Sequence, residues 1–431
     1  MNYDHQPIIS VIIPVYNSEL YLREALSSII QQSFTDYEVL CVDDASTDRS
    51  LDILKEFAGK DHRFQVLVNT ERSGAARSRN KGLSKAKGEY IIFLDSDDVF
   101  YENLLMSAYT DCQKYQAELV MYGYHVQNIT SIQASEHYEE VTTRVNSREL
   151  IAREQIERVI DKTDPVPWNK LVARTLLTEN NIIFQDIPNN NDVYYSFAVA
   201  LCARRILISD EILLTHKRNR ADSLTKDRLN KKNHILEAYD EVYRFVLDRQ
   251  FMPSIKNKLK NYIISQIVRL TTDLDHRREV RCDVIRELRE KYWYSWDIEG
   301  TPKEELDLSN QCFIHELMDG KTGEDISCGE DLLAKGALLL MQQCHARNER
   351  VALWGCGKLG QQIIDYLESH MINFDFVIDN DVRKQGTRYR GYLIYSYPEV
   401  KDRIDLILVT NRRWYDDIKN ETGGLISIVC I

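Results

Sequence analysis

The chain has no apolar stretch approaching the ~20 residues that a membrane-spanning helix requires, although it runs to 431 residues. Met1 to Pro7 lacks the basic and apolar regions of a secretory leader, so a protein retained in the cytosol is expected. Positive charge is in short supply. Lysine and arginine number 55 against 67 aspartates and glutamates, a formal net charge of -12, which argues against a dedicated nucleic-acid binder. The nine cysteines, among them Cys41, Cys112, Cys202 and Cys430, fall without a paired spacing. That scatter suits a reducing compartment and assigns none of them to a disulfide or a metal.

What is present is a globular composition, 43% hydrophobic and 28% charged, in a chain long enough for two or three domains. Ile8 to Val15 is a strand-like apolar run closed by Pro14 and Tyr16-Asn17. Ser18 has the character of a helix N-cap, and Leu22, Ala25, Leu26, Ile29 and Ile30 follow at helical spacing. Glu38 to Val42 predicts a second strand, Leu51, Leu54 and Phe57 a second helix, and Phe64 to Val68 a third strand. Ser73 to Asn80 opens a further helix that stops near Gly88, and Tyr90 to Leu94 is a buried strand. Strand and helix alternate, which predicts an α/β architecture with a mostly parallel sheet covered on both faces.

Two of these strands end in acids, Asp43-Asp44 and Asp95-Ser96-Asp97-Asp98, so both acid sets fall on one edge of the sheet. The carboxyl edge of an open α/β sheet is where ligands bind. Carboxylates ending a buried strand need a cation or a cluster of donors, and an Asp-x-Asp suits a hard divalent ion that keeps waters and phosphates in its shell. Acids also cap helices and decorate turns. A nucleoside diphosphate fits both sets: one carboxylate accepts from the base or ribose, the other set holds the metal that neutralises the pyrophosphate.

Four segments in this order, Ile9-Ser10-Val11-Ile12-Ile13-Pro14-Val15-Tyr16-Asn17, Val42-Asp43-Asp44-Ala45-Ser46-Thr47-Asp48, Gly74 with Arg79-Asn80-Lys81-Gly82, and Phe93-Leu94-Asp95-Ser96-Asp97-Asp98, resemble the family 2 glycosyltransferases of the GT-A fold. The resemblance covers roughly the first half of the chain. It implies a donor nucleotide site of Pro14, Tyr16, Asp43, Arg79, Asp95 and Ser96, with Asp43 on the base and Asp95 near the ribose or donor sugar. Asp97 would coordinate Mg2+ or Mn2+. Arg79 is otherwise a surface or packing arginine, and Asp43 a strand-end or cap acid. Arg72 stands where the family often has asparagine.

After Tyr109 the alternation fades, as expected where such enzymes turn to the acceptor. Pro165-Val166-Pro167-Trp168-Asn169-Lys170-Leu171-Val172 resembles the family's Trp-Asn-Lys-Leu segment, and Trp168 either stacks on a sugar face or packs in the core. Asn191-Asp192 stands where the family carries a Glu-Asp pair, so the resemblance implies Asp192 as the catalytic base, with a helix N-cap as the plainer role. In Leu213 to Leu224, His216 would complete the metal shell, bond the diphosphate or act as a simple hydrogen-bonding residue. Lys217, Arg218 or Arg220 would balance the leaving group. The basic run Lys226, Arg228, Lys231 and Lys232 is either a solvated helix face or a contact with anionic lipid, where a polyprenyl-linked acceptor is presented.

Residues 1–230 are thus expected to form a GT-A domain, 231–345 a helical linker or acceptor-side domain, and 346–431 a Rossmann-like module. The middle offers no catalytic constellation. In the last region a strand, Val351 to Trp354, runs into Gly355, Gly357 and Gly360 at Gly-x-Gly-x-x-Gly spacing, and a second strand ends in Asp379. That context allows a pyrophosphate at the helix N-terminus and ribose hydroxyls on the acid. No hydride-transfer residues accompany it, so a structural or oligomerising module stands beside binding of NAD(P) or a nucleotide sugar.

The leading expectation is an inverting, metal-dependent glycosyltransferase, in the cytoplasm or peripheral at the inner membrane face. It would move a sugar from a UDP-linked donor to a bacterial surface glycan or lipid-linked acceptor. A C-terminal nucleotide-sugar oxidoreductase or epimerase, and a non-catalytic glycan or nucleotide-binding scaffold, are the alternatives.

Overall fold

The first strand, β1 (Ile9–Val15), pairs in parallel with β2 (Tyr37–Asp43) on one side and β4 (Tyr90–Phe93) on the other. β3 (Phe64–Val68) extends the sheet beyond β2. Strands covered on both faces must be apolar throughout, and Ile9, Val11, Ile12, Ile13 and Val15 are all buried. α1 (Glu19–Ile30) buries Leu22, Ala25, Leu26 and Ile29, the i, i+3, i+4, i+7 face of an amphipathic helix. α2 (Ser50–Lys60) and α3 (Ala75–Leu83) complete the crossovers. The chain enters β4 through Gly88, where a Cβ would lie 2.5 Å from the Ser10 amide nitrogen, so no larger residue fits without displacing β1.

This computed structural model describes residues 6–128, 138–139, 148–218, 234–274, 277–321, 325–327, 329–410, 418–419, 421–423 and 426–430. Contacts divide the chain into two compact units, Met1–Phe251 and Met252–Ile431. The later strands are β5 Val99–Phe100, β6 Leu119–Asn128, β7 Tyr138–Glu139, β8 Glu149–Ala152, β9 Lys170–Ala173 and β10 Arg205–Arg218. Among the described residues the first sheet follows the order β3-β2-β1-β4-β9-β6-β10-β5, with β7 paired to β6 and β8 to β10. β9 is antiparallel to both β4 and β6, while β10 is parallel to β6. The carboxyl ends of β1, β2, β4 and β10 therefore share one edge. Beyond α4 (Leu104–Tyr115) and α5 (Arg174–Asn180), α6 (Asp192–Cys202) packs on the helix Ile235–Asp248, with Tyr194 edge-on to Phe245 at 5.6 Å. That helix belongs to the first unit rather than to the helices that follow.

In the second unit the helices Pro253–Asp273, Arg278–Glu287, Leu308–Met318 and Gly329–Ala346 precede a smaller sheet. Between them the Trp293–Trp296 turn buries both tryptophans, and Trp296 stacks on Tyr292 at 4.9 Å. The sheet is centred on the parallel strands Val351–Trp354, Phe376–Ile378 and Leu406–Val409. Ala337, Leu340, Met341 and Cys344 pack with Val351, Leu353, Ile363 and Ile364 in one core. Among the described residues no helix is long and apolar enough to cross a membrane.

Candidate active site

The two acids ending β2 take different environments. Asp43 is 1% exposed. Its Oδ2 accepts the Ser46 amide at 3.2 Å, while Oδ1 is buried without a hydrogen-bond partner. The turn between them is held by Ala45 in the left-handed region at φ 57°. Asp44 instead accepts from Asn69 Nδ2, from the Ser73 amide and hydroxyl and from the Gly74 amide, all at 2.7–2.8 Å. Burial pushes the Asp44 carboxyl up, but these donors outweigh it and hold the group below its ordinary range. Asp44 therefore braces the entry to α3, and Asp43 keeps a lone pair in reserve. Pro14 and Tyr16, at the end of β1, are half-buried beside them, and the Arg72 guanidinium lies over the Tyr16 ring at 4.2 Å.

After β4 the chain presents Asp95, Ser96, Asp97 and Asp98. Ser96 Oγ lies 2.8 Å from Ser18 Oγ, and the Ser18 hydroxyl also donates to the Tyr16 carbonyl. Ser18, expected as an N-cap, occupies that position without making a side-chain cap bond. The Asp48 carboxylate accepts the Glu19 amide in its place. Asp97 is buried. Asp98, to which the sequence assigned no role, is fully buried, and both of its oxygens lie 3.0–3.1 Å from His216 Nδ1. It also accepts the Lys217 amide at 3.0 Å. Asp98 joins the end of β10 to the acidic loop and commits Nδ1, so any ligand of the ring is met by Nε2. Burial pulls the His216 pKa down, but the field of Asp98, Asp95 and Asp97 outweighs it and the net shift is upward. Burial likewise pushes Asp98 up, against the opposing effect of His216, so the pair retains a proton that the unfolded chain would release.

On the acceptor side, Trp168 takes the packing role of the two that the sequence offered it. It is 3% exposed, and its ring stacks on His216 at 4.7 Å with Tyr124 edge-on at 4.5 Å. The ring is a core wall that orients the histidine, not a platform for a sugar. Lys217, grouped by sequence with the leaving-group cations, is buried and pairs with Glu24 of α1 at 2.5 Å. Arg218 ends β10, and its side chain lies outside the described residues. Arg220 and the basic run from Lys226 to Lys232 lie outside them as well.

On the facing side, Asp192 is the first residue of α6 and Asn191 holds the cap position, so the N-cap alternative passes to Asn191. Asp192 is half-buried, and the chain turns into it through Asn190 at φ 58°. The link across the site is Arg79. It is 6% exposed, donates from Nη2 to Asp95 Oδ1 at 2.8 Å and from Nη1 to Asn191 Oδ1 at 3.3 Å. Contacts thus run without a break from the β2 end, through Ser18, Ser96 and Asp95, to the start of α6. A cavity of about 850 Å³ lined by Tyr37, Glu38, Arg63 and Lys87 lies at the opposite edge of the sheet and gathers none of these residues.

Among the described residues no group of three or more His, Cys, Asp or Glu side chains forms a ready-made metal cage. Buried Asp97, with His216 and Asp95 nearby, instead offers the sparse, oxygen-rich donor set of an ion completed by substrate phosphates and water.

The model for glycosyl transferase family 2 matches residues 10–179. This region is a family 2 glycosyltransferase domain. The chain is 29% identical over 244 residues to the glycosyltransferase GlyG of Streptococcus pneumoniae serotype 4, covering 54% of this chain and 79% of GlyG. It is 31% identical over 234 residues to GlyA of the same organism, covering 53% of this chain but 33% of GlyA. The fold resembles that of S. aureus TarS 1-349, solved in complex with UDP-GlcNAc, at a TM-score of 0.60 and 19% identity, over 79% of this chain and 92% of that one. Residues 347–428 match a second model, C2185-like, N-terminal.

In that C-terminal module the glycine turn forms as the sequence predicts. Gly355 has φ 107°, and a Cβ on Gly360 would lie 1.9 Å from the Gly355 carbonyl oxygen. Gly357 precedes the helix Lys358–Ser369. Asp379, expected to meet ribose hydroxyls, is otherwise engaged. Its Oδ2 accepts from the Cys356 amide and from Lys384 Nζ at 2.8 and 2.9 Å, and its Oδ1 from the Asp381 amide at 2.9 Å.

Proposed function

We propose that the protein is an inverting glycosyltransferase that moves a sugar from a UDP-linked donor to a bacterial surface glycan or its lipid-linked precursor. The observation that carries this reading is the Arg79 bridge, which ties the acidic donor-side loop to the start of the helix bearing Asp192. In this reading Asp43 Oδ1 accepts an N–H from the nucleobase, beside Pro14 and Tyr16. Asp95 and Ser96 border the ribose and diphosphate. Asp97, with His216 through Nε2, would hold Mg2+ or Mn2+, which supplies charge neutralisation of the departing diphosphate when bound. The Asp192 carboxylate takes the proton of the acceptor hydroxyl as its oxygen forms a bond to the anomeric carbon. The bond from that carbon to the diphosphate breaks on the opposite face, and the electron pair leaves with the phosphate oxygen. Such a base contributes ~10²–10⁴-fold.

TarS supports the donor class by analogy, since its solved complex contains UDP-GlcNAc. The C-terminal module is assigned a structural or oligomerising role, because the internal commitments of Asp379 disfavour an oxidoreductase or epimerase reading. The three-part division at residues 230 and 345, a site of action at the inner membrane face and the basic run as its lipid contact belong to the same proposal. The test is a donor-hydrolysis and transfer screen over UDP-, GDP- and dTDP-sugars with and without Mn2+. Turnover should favour UDP donors, require the metal and fall at least a hundredfold in Asp97→Ala and Asp192→Asn. Unchanged turnover in either variant removes that residue from its role. Donor binding without turnover by the wild type selects the scaffold reading.

A further inference from the structure

Helix α3 grips the segment that leads into α6 at three points. Arg77 pairs with Asp186 at 2.6 Å in the open. Asn80 forms a double bond pattern with Phe184, donating to its carbonyl and accepting from its amide, both at 2.8 Å. Arg79 is the buried member and donates to Asn191 Oδ1 at 3.3 Å. The same guanidinium grips Asp95 at 2.8 Å and lies 5.2 Å from the Phe184 ring. At its other end α3 is held by Asp44 through the Gly74 amide. One short helix therefore joins the strand-end acids to the residue immediately before Asp192.

Both terminal nitrogens of Arg79 are met by protein oxygens, and its buried Nε has no partner. A buried guanidinium is costly to leave half-paired, so the two bonds it makes fix its place firmly. Asn191 is fixed from its other side as well, since its Nδ2 donates to the Ile187 carbonyl at 3.3 Å. We propose that Arg79 is a positioning residue, holding Asn191, and through it the Asp192 carboxylate, at a set separation from Asp95. This rests on the reading of Asp192 as the base. The action passes through the Asn191 side-chain oxygen, so it affects the rate of the bound complex more than donor affinity.

A misplacement of about 1 Å at a reacting group costs on the order of a hundredfold. The experiment measures kcat and donor KM for Arg79→Gln, Asn191→Ala, Asn191→Asp and the Arg79→Gln/Asn191→Ala double variant, with folding checked by circular dichroism. Asn191→Ala keeps the Arg79–Asp95 pair, so kcat should fall roughly 10- to 100-fold with donor KM within about threefold. Asn191→Asp, which retains an acceptor oxygen, should recover most of that loss. The double variant should be no slower than Arg79→Gln alone, because both remove one contact. A kcat for Asn191→Ala within twofold of wild type, or losses that multiply in the double variant, would overturn the proposal. Full turnover in Asp192→Asn would instead remove the base reading on which it stands.

Discussion

Asp98 offers the most demanding test of how the site is built. Its carboxylate is fully buried and meets the His216 ring and the Lys217 amide at 3.0 Å each. Replacing it by alanine leaves an imidazole and a backbone N–H without an acceptor in the interior, and breaking a buried pair costs about 3–5 kcal/mol. Asp98→Asn keeps an oxygen in place and should cost no more than about half as much. The pair also predicts a pH dependence. His216 is raised in the folded state, so its contribution is complete below the unfolded value of about 6.5 and is lost as pH rises through the folded value. Asp98 is raised too, which acts in the same direction. Hydrogen exchange at the amides of β4 and β10 reports the opening free energy of the first unit alone. Protection there should decline above pH 6.5 in the wild type, and Asp98→Ala should remove both the protection and its pH dependence. An Asp98→Ala cost below about 1 kcal/mol, or a wild-type profile that rises with pH, would refute the reasoning.

Glu316 makes the opposite prediction in the second unit. Burial raises its carboxyl, but Lys335, the Ser327 amide and Lys321 overcome that and hold it at about 2, worth on the order of 3 kcal/mol. That stability is present above pH 4.5 and drains away as pH falls toward 2, so the acid dependence measured by urea unfolding should be shallower in Glu316→Gln than in the wild type. In the glycine turn, Gly360→Ala should destabilise the C-terminal sheet by about 1–3 kcal/mol, because its Cβ would meet the Gly355 carbonyl. Gly357→Ala meets nothing within 4 Å and should be nearly neutral, so equal effects on hydrogen exchange at Val351–Trp354 would contradict the packing.

The parts of the fold that the sequence announced are those whose cause is local. β1, β2 and β4 are buried on both faces, so their burial is written as unbroken apolar runs, and the acids after them mark the ligand edge because parallel strands end together. What stayed hidden depends on pairs that no window can see. Asp98 and His216 are 118 residues apart, Arg79 and Asn191 are 112, and Lys217 and Glu24 are 193. A third acid directly after Asp-x-Asp was the one visible sign that Asp98 needed a partner, since an unpaired carboxylate cannot stay ionised in a core. Nor does residue type reveal which face of a ring is covered. Trp168 suits a sugar in isolation, yet a histidine 48 residues later fills that face. The same limit applies to Asp379, whose motif spacing allows a ribose contact while Cys356 and Lys384 bond to its Oδ2 and the Asp381 amide to its Oδ1. Motifs specify which chemistry is at hand. Long-range pairing decides which of those groups is spent on holding the fold and which is left to act.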